Sequence, residues 1–150
     1  MTLFLDNIHK SYGKRIVVNR VSITVAPGEI VGLLGPNGAG KTTTFYIATG
    51  LIKPNQGRVL FEQREITSLS LNQRARLGIG YLTQQASIFR YLSVGENIEL
   101  ALEQSQVPYP IRTSKLHDLL KEFRLEKISR TKGAYVSGGE RRRTELARAL

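Results

Sequence analysis

The stretch Gly35-Pro36-Asn37-Gly38-Ala39-Gly40-Lys41-Thr42-Thr43 constrains this chain more than any other. It fits the pattern G-x-x-x-x-G-K-[ST]. Its glycines permit positive φ, so successive backbone N–H groups can converge on one point without side chains in the way. A helix starting here adds the partial positive charge of its N-terminus. Lys41 then offers a full charge to the β- and γ-phosphates of a nucleotide, and Thr42 a hydroxyl to Mg²⁺. Such a loop belongs between a buried strand and a helix. Residues 29–34, EIVGLL, are apolar on both parities, which predicts a strand of a parallel sheet covered on both faces. TTTFYIATGL predicts the helix behind the loop, with Gly50 ending it. A dinucleotide fingerprint, G-x-G-x-x-G, does not fit. The loop alone suits a small nucleotide kinase equally well.

The flanking sequence predicts an α/β core over about residues 1–85 and a helical section over about 86–150. Residues 2–8 alternate in part, and Ser11-Tyr12-Gly13-Lys14 reads as a turn. Residues 16–25 read as a second strand with Val17, Val21, Ile23 and Val25 apolar. Pro54-Asn55-Gln56-Gly57 is a turn ahead of the strand-like RVLFEQ. Residues 70–77 read as helix, and 79–83, IGYLT, as another short buried strand. Ser93-Val94-Gly95-Glu96 has capping-box spacing, and Ile98, Ala101 and Leu102 follow at helical intervals. A break with prolines at 108–110 precedes a helix bearing Leu116, Leu119, Leu120 and Phe123. Ser137-Gly138-Gly139-Glu140 repeats the capping-box spacing and opens a last helix.

Composition excludes several classes. At 150 residues the chain is one domain or part of one. No apolar run approaches the length of a membrane span, and MTLFLDNIHKSYG lacks the build of a signal peptide, so a cytosolic location is expected. The absence of cysteine excludes thiolate metal sites and thiol chemistry. The net charge of +10 admits nucleic-acid binding, a solvated basic surface, or part of a larger, more acidic protein. Basic residues are spread out, with Arg141-Arg142-Arg143 the longest consecutive run, so the solvated surface is the reading adopted and no nucleic-acid partner is expected.

Val136-Ser137-Gly138-Gly139-Glu140 is the second motif. A serine hydroxyl, two small residues and free N–H groups at a helix start form an anion site. Alone, the same stretch is an ordinary capped helix. Paired with the phosphate loop, it resembles the ATP-binding subunits of ABC transporters, whose signature is LSGGQ. The resemblance runs over all 150 residues. It implies a P-loop NTPase core with N-terminal antiparallel β strands and an α-helical subdomain. It implies that Tyr12 stacks on adenine and that Gly35 through Thr43 hold the phosphates. It implies that Gln84 contacts Mg²⁺ and the attacking water and couples to a transmembrane permease. Ser137, Gly138 and Gly139 would touch the γ-phosphate bound by a second ATPase subunit, so the implied assembly is a homodimer on the cytoplasmic face of the inner membrane, with ATP and Mg²⁺ as ligands. Without the resemblance, Tyr12 could simply pack on a turn and Gln84 lie on the surface. His9 and His117 read as ordinary surface or partly buried residues.

Within the family, GLLGPNGAGKTTTFY, RARLGIGYL, QASIFRYLSV and SGGERRR are similar to the members that power export of lipopolysaccharide. Thr83 and Val136 depart from them, where proline and leucine are usual. Another ABC transporter such as an amino-acid importer, a non-catalytic nucleotide-binding module, and a ribosome-associated ATPase are the other readings. Hydrolysis in the family also needs an apolar strand ending in Asp-Glu. The aspartates here are Asp6 and Asp118, and neither stands in such a place. The resemblance puts that strand after the signature helix, beyond Leu150. The chain is therefore expected to be a partial nucleotide-binding domain that binds ATP weakly, does not turn it over alone, and leaves apolar surface uncovered beside the phosphate-loop strand.

Overall fold

The computed structural model describes residues 1–105 and 107–150. These form two compact units, Met1–Ile79 and Gly80–Leu150.

In the first unit, β1 (Leu3–Tyr12) and β2 (Arg15–Val25) form a hairpin that reverses at Gly13-Lys14. The turn is tighter than the sequence implied: Ser11 and Tyr12 are still strand, paired with Ile16 and Arg15. β3 (Gln56–Phe61) and β4 (Arg64–Glu65) complete an antiparallel sheet in the order β2-β1-β3-β4. Leu5 and Ile8 are both buried although three residues apart, which strict alternation forbids. A register shift between them resolves this. Asn7 adopts φ 48 and the bulge returns the strand to inward parity. Leu5, Ile8, Val18 and Val59 then pack with Ile66 and with Ile47 of α1 (Lys41–Thr49). α1 ends at Gly50 in a left-handed C-cap, φ 84, as its sequence predicted.

Two expected strands are missing from the sheet. Residues 29–34 and 79–83 have no strand pairing among the described residues. Ile30 and Leu34 are 97% and 96% exposed. Their composition suits a doubly covered strand, but a strand exists only through a hydrogen-bonded neighbour, and none flanks these segments here. The antiparallel strands are present, and the parallel ones are not formed.

α2 (Leu71–Ala75) follows, capped by Ser70 and Gln73. Arg74 lies in the last turn of α2, whose C-cap is Arg76, and its side chain is wholly buried. Its guanidinium donates to the carbonyls of Ile47, Ala48, Ile66, Thr67 and Leu69 at 2.7–3.2 Å. It thereby ties the end of α1 to the chain after β4. Burial lowers its pKa from the usual arginine value.

The second unit is helical: α3 (Val94–Gln104), α4 (Tyr109–Glu122) and α5 (Gly138–Ala149). Its core joins Ile88, Val94, Ile98, Leu102, Leu119, Leu125, Val136 and Ala147. Both predicted capping boxes form, at Ser93–Glu96 and Ser137–Glu140. Pro110 lies inside the first turn of α4 rather than before it, a position where its missing N–H has no helical acceptor anyway. Among the described residues no helix is long and apolar enough to cross a membrane.

Candidate nucleotide-binding site

The phosphate loop is built on β2. Gly35, Gly38 and Gly40 take φ 149, 84 and 83, the region that favours glycine. A Cβ on Gly40 would stand 2.2 Å from the carbonyl oxygen of Val17, so the loop rests directly on the β2 backbone. Gly40 is also the N-cap of α1. No side chain caps this helix and no acidic residue occupies its first turn. The first intrahelical bond runs from Thr44 N–H to the Gly40 carbonyl at 2.8 Å. The amides of Lys41, Thr42 and Thr43 thus face outward at the positive end of α1, which suits an anion. Lys41 folds over the loop, its Nζ donating to the carbonyls of Gly35 and Pro36 at 2.7 Å each. Pro36, Asn37, Gly38, Ala39 and Thr42 are exposed along the rim.

Tyr12 stands at the tip of the β1–β2 hairpin in the same unit, 52% exposed. Lys10, two residues earlier on the same strand face, places Nζ 5.4 Å from the ring centroid. Its ammonium is held by the Lys53 carbonyl at 2.8 Å. One side of the phenol ring therefore meets a cation while the ring as a whole stays open to a partner.

The signature residues lie in the second unit, at the start of α5. Ser137 Oγ accepts the Glu140 N–H at 3.3 Å, and Glu140 Oε2 accepts the Ser137 N–H at 2.8 Å. A Cβ on Gly138 would meet nothing within 4 Å, so the helix start is open. The bond from the Ser137 backbone, helped by the Ser137 hydroxyl and by Arg143, holds the Glu140 carboxyl below its ordinary pKa. A carboxylate thus stands where the family signature has a neutral glutamine.

Gln84 is exposed and shares a shallow cleft of about 290 Å³ with Gly138, Arg141 and Arg142. The segment carrying it is clamped to α5 by residues the sequence reading took for a solvated face or overlooked. Arg142 donates to the Thr83 carbonyl at 3.2 Å. Glu145, 4% exposed, accepts the Ser87 N–H at 2.5 Å and Arg142 Nη1 at 3.2 Å. Arg148 donates to the Ser87 carbonyl at 2.8 Å and lies 4.8 Å from the Phe89 ring. The three-residue spacing of 142, 145 and 148 puts all three on one face of α5, though spacing alone does not say that this face turns inward. Thr83 uses its hydroxyl to donate to the Gln85 carbonyl at 2.5 Å, a bond the usual proline cannot make.

The structure therefore gathers Tyr12 and Gly35 through Thr43 in one unit, and Gln84 with Ser137, Gly138 and Gly139 in the other. The two residues that the resemblance assigns to Mg²⁺, Thr42 and Gln84, fall in different units. Among the described residues no group of three or more His, Asp or Glu could hold a metal ion.

A glycine loop seated on a strand of an antiparallel sheet and opening an uncapped helix is an arrangement that suits a P-loop nucleotide-binding protein. The ABC transporter family profile matches residues 18–150. The chain belongs to the ABC transporter family of ATP-binding proteins. It is 50% identical over 145 residues to the lipopolysaccharide export system ATP-binding protein LptB of Acidithiobacillus ferridurans, covering 97% of this chain and 60% of that protein. It is 49% identical to LptB of Escherichia coli K12, covering 99% and 62%. A probable ABC transporter ATP-binding protein of Azorhizobium caulinodans is 53% identical over 94% of this chain and 50% of its own length. The chain thus spans between half and about three fifths of these relatives. Among solved structures, the ATP-binding cassette MJ1267 superposes with a TM-score of 0.87 at 28% identity, over 99% of this chain and 64% of that one. The cassette MJ0796, solved as a dimer bound to ADP and Pi, superposes at 0.81 with 30% identity over 99% and 68%.

Proposed function

We propose that this chain is the nucleotide-binding part of an ABC transporter ATPase that powers export of lipopolysaccharide or a related glycolipid. The observation that carries nucleotide binding is the uncapped start of α1 at Gly40, with Lys41 folded over it. The transported class is supported by the roughly 50% identity to proteins named for lipopolysaccharide export. In this reading a nucleotide stacks its base on Tyr12 and lays its phosphates along Gly35 through Thr43, where Lys41 exchanges loop carbonyls for phosphate oxygens. Thr42 and Gln84 serve Mg²⁺, which neutralises phosphate charge when bound. Ser137, Gly138 and Gly139 offer a hydroxyl proton and backbone N–H groups to the nucleotide of a second copy. Closure of two copies on ATP would drive a membrane permease at the cytoplasmic face of the inner membrane. In domain terms, about 1–85 carries the phosphate loop and about 86–150 the helical subdomain. The 150-residue segment by itself is expected not to hydrolyse ATP.

Complementation tests this. The full-length gene is expressed in a strain depleted of its lipopolysaccharide export ATPase, beside Lys41→Ala. Rescue by the native gene and none by the variant is expected. Failure to rescue, with ATP still bound, would move the chain to another transporter of the family. A magnesium-dependent ATPase rate from the purified 150-residue segment, abolished by Lys41→Ala, would overturn the expected inactivity.

A further inference from the structure

The hairpin tip holds a charge that the functional reading leaves unused. Arg15 is the direct cross-strand partner of Tyr12, so the two side chains leave the sheet on one face. The Arg15 guanidinium reaches over the phosphate loop: its Nη2 lies 3.9 Å from the position a Cβ would take on Gly38. Loop and strand are held in register, because Gly40 rests on Val17, two residues along β2 from Arg15. Arg15 is exposed and has no hydrogen bond or ion pair among the described residues. Lys41, by contrast, is engaged with two loop carbonyls.

A guanidinium above a glycine cradle at the positive end of a helix accumulates positive charge, and among the described residues no carboxylate pairs with it. Such a concentration of positive charge attracts an anion, and a planar fork of N–H donors matches the oxygens of a phosphate. From these positions we infer that Arg15 is a phosphate-binding residue, donating to a nucleotide phosphate oxygen held by residues 35–43. The inference rests on the reading of that loop given above. It makes the hairpin tip bifunctional: Tyr12 meets the base while Arg15, across the ladder, meets the phosphates. Arg15 is then a determinant of affinity for di- and triphosphates rather than for adenosine.

The test uses the full-length protein and isothermal titration with ATP, inorganic tripolyphosphate and adenosine. Variants are Arg15→Ala, Arg15→Lys and Lys41→Ala. With a charge-assisted bond lost, Arg15→Ala should weaken ATP and tripolyphosphate roughly tenfold or more. Arg15→Lys should recover part of the loss, adenosine affinity should not move, and ligand-free melting should match the native protein. Native affinity for ATP and tripolyphosphate in Arg15→Ala, with Lys41→Ala impaired, would overturn the inference and leave the loop reading intact. An equal loss for adenosine would move Arg15 to the base and overturn the phosphate contact. No binding of ATP by the native protein would overturn both readings.

Discussion

Replacing Arg74 should loosen the helix that carries the phosphate loop. Its five bonds reach the carbonyls of Ile47 and Ala48 near the end of α1 and those of Ile66, Thr67 and Leu69. α1 has no basic residue in its own last turn, so Arg74 supplies from outside the cation its negative end favours. In Arg74→Met the Ile47 and Ile66 carbonyls keep backbone donors from Gly50 and Leu69. Those of Ala48, Thr67 and Leu69 lose the side-chain donor, at about 1–1.5 kcal/mol each. Relief from burying the charge offsets part of this, and lost packing adds to it, for a net loss of about 3–4 kcal/mol. In a unit of this size each kcal/mol lowers the melting temperature by about 4–8 °C, so a fall above about 12 °C is expected. Arg74→Lys separates charge from geometry, since one ammonium cannot span carbonyls on two segments. Lysine should recover less than half of the loss. Thermal melts of the full-length variants decide the matter. A methionine variant within about 1 kcal/mol of native would refute the reasoning, because buried carbonyls without donors are not that cheap.

Other perturbations follow from the same contacts. Gly40→Ala places a Cβ 2.2 Å from the Val17 carbonyl at φ 83, so β2 or the loop must shift. Left-handed strain alone is about 1–2 kcal/mol, and ATP affinity measured by titration should fall at least tenfold; unchanged affinity would refute the seating of the loop. Glu145→Ala removes the acceptor of the Ser87 N–H, so hydrogen exchange at Ser87 should accelerate and stability drop by about 2–3 kcal/mol. Unaltered exchange there would mean the clamp does not hold the Gln84 segment. Asp6, Glu62, Glu96 and Glu140 have lowered pKa values, from bonds to the Arg58 side chain and to the backbones of Thr2, Ser93 and Ser137 respectively. Their folded values lie below their unfolded ones, so their stabilisation is complete above the unfolded carboxylate range, about pH 4–5, and is lost as pH falls through the folded values. Melting temperature should therefore decline as pH falls below about 4, and a rise there would contradict the assignment.

What sequence reasoning reached depended on how far apart the cooperating residues stand. The capping boxes at Ser93 and Ser137 formed because each is completed within four residues, by Glu96 and Glu140. Gly50 stopped α1 for an equally local reason. The clamp on the Gln84 segment was not legible. Arg142, Glu145 and Arg148 meet partners at 83–89, and nothing in a run of charges says which of them turn inward. Arg74 was hidden in the same way. A fully buried arginine without a carboxylate is not what composition predicts, and the carbonyls that satisfy it come from residues 47–48 and 66–69.

The segment before the loop shows the same distinction with a consequence for the site. EIVGLL has the composition of a buried strand, yet Ile30 and Leu34 stand in solvent, because composition selects a conformation only where a neighbour supplies the ladder. Without that ladder the loop is not positioned from its N-terminal side. Its described supports are the contact of Gly40 with Val17 and the Arg74 bonds at the far end of α1. Geometry at the phosphate site then depends on β2 and on a buried arginine more than on the strand that precedes the motif. A neighbouring strand paired with residues 29–34 would stiffen the loop as well as cover Ile30 and Leu34. Nucleotide affinity and burial of those two side chains should therefore rise together in any form of the protein that supplies such a strand.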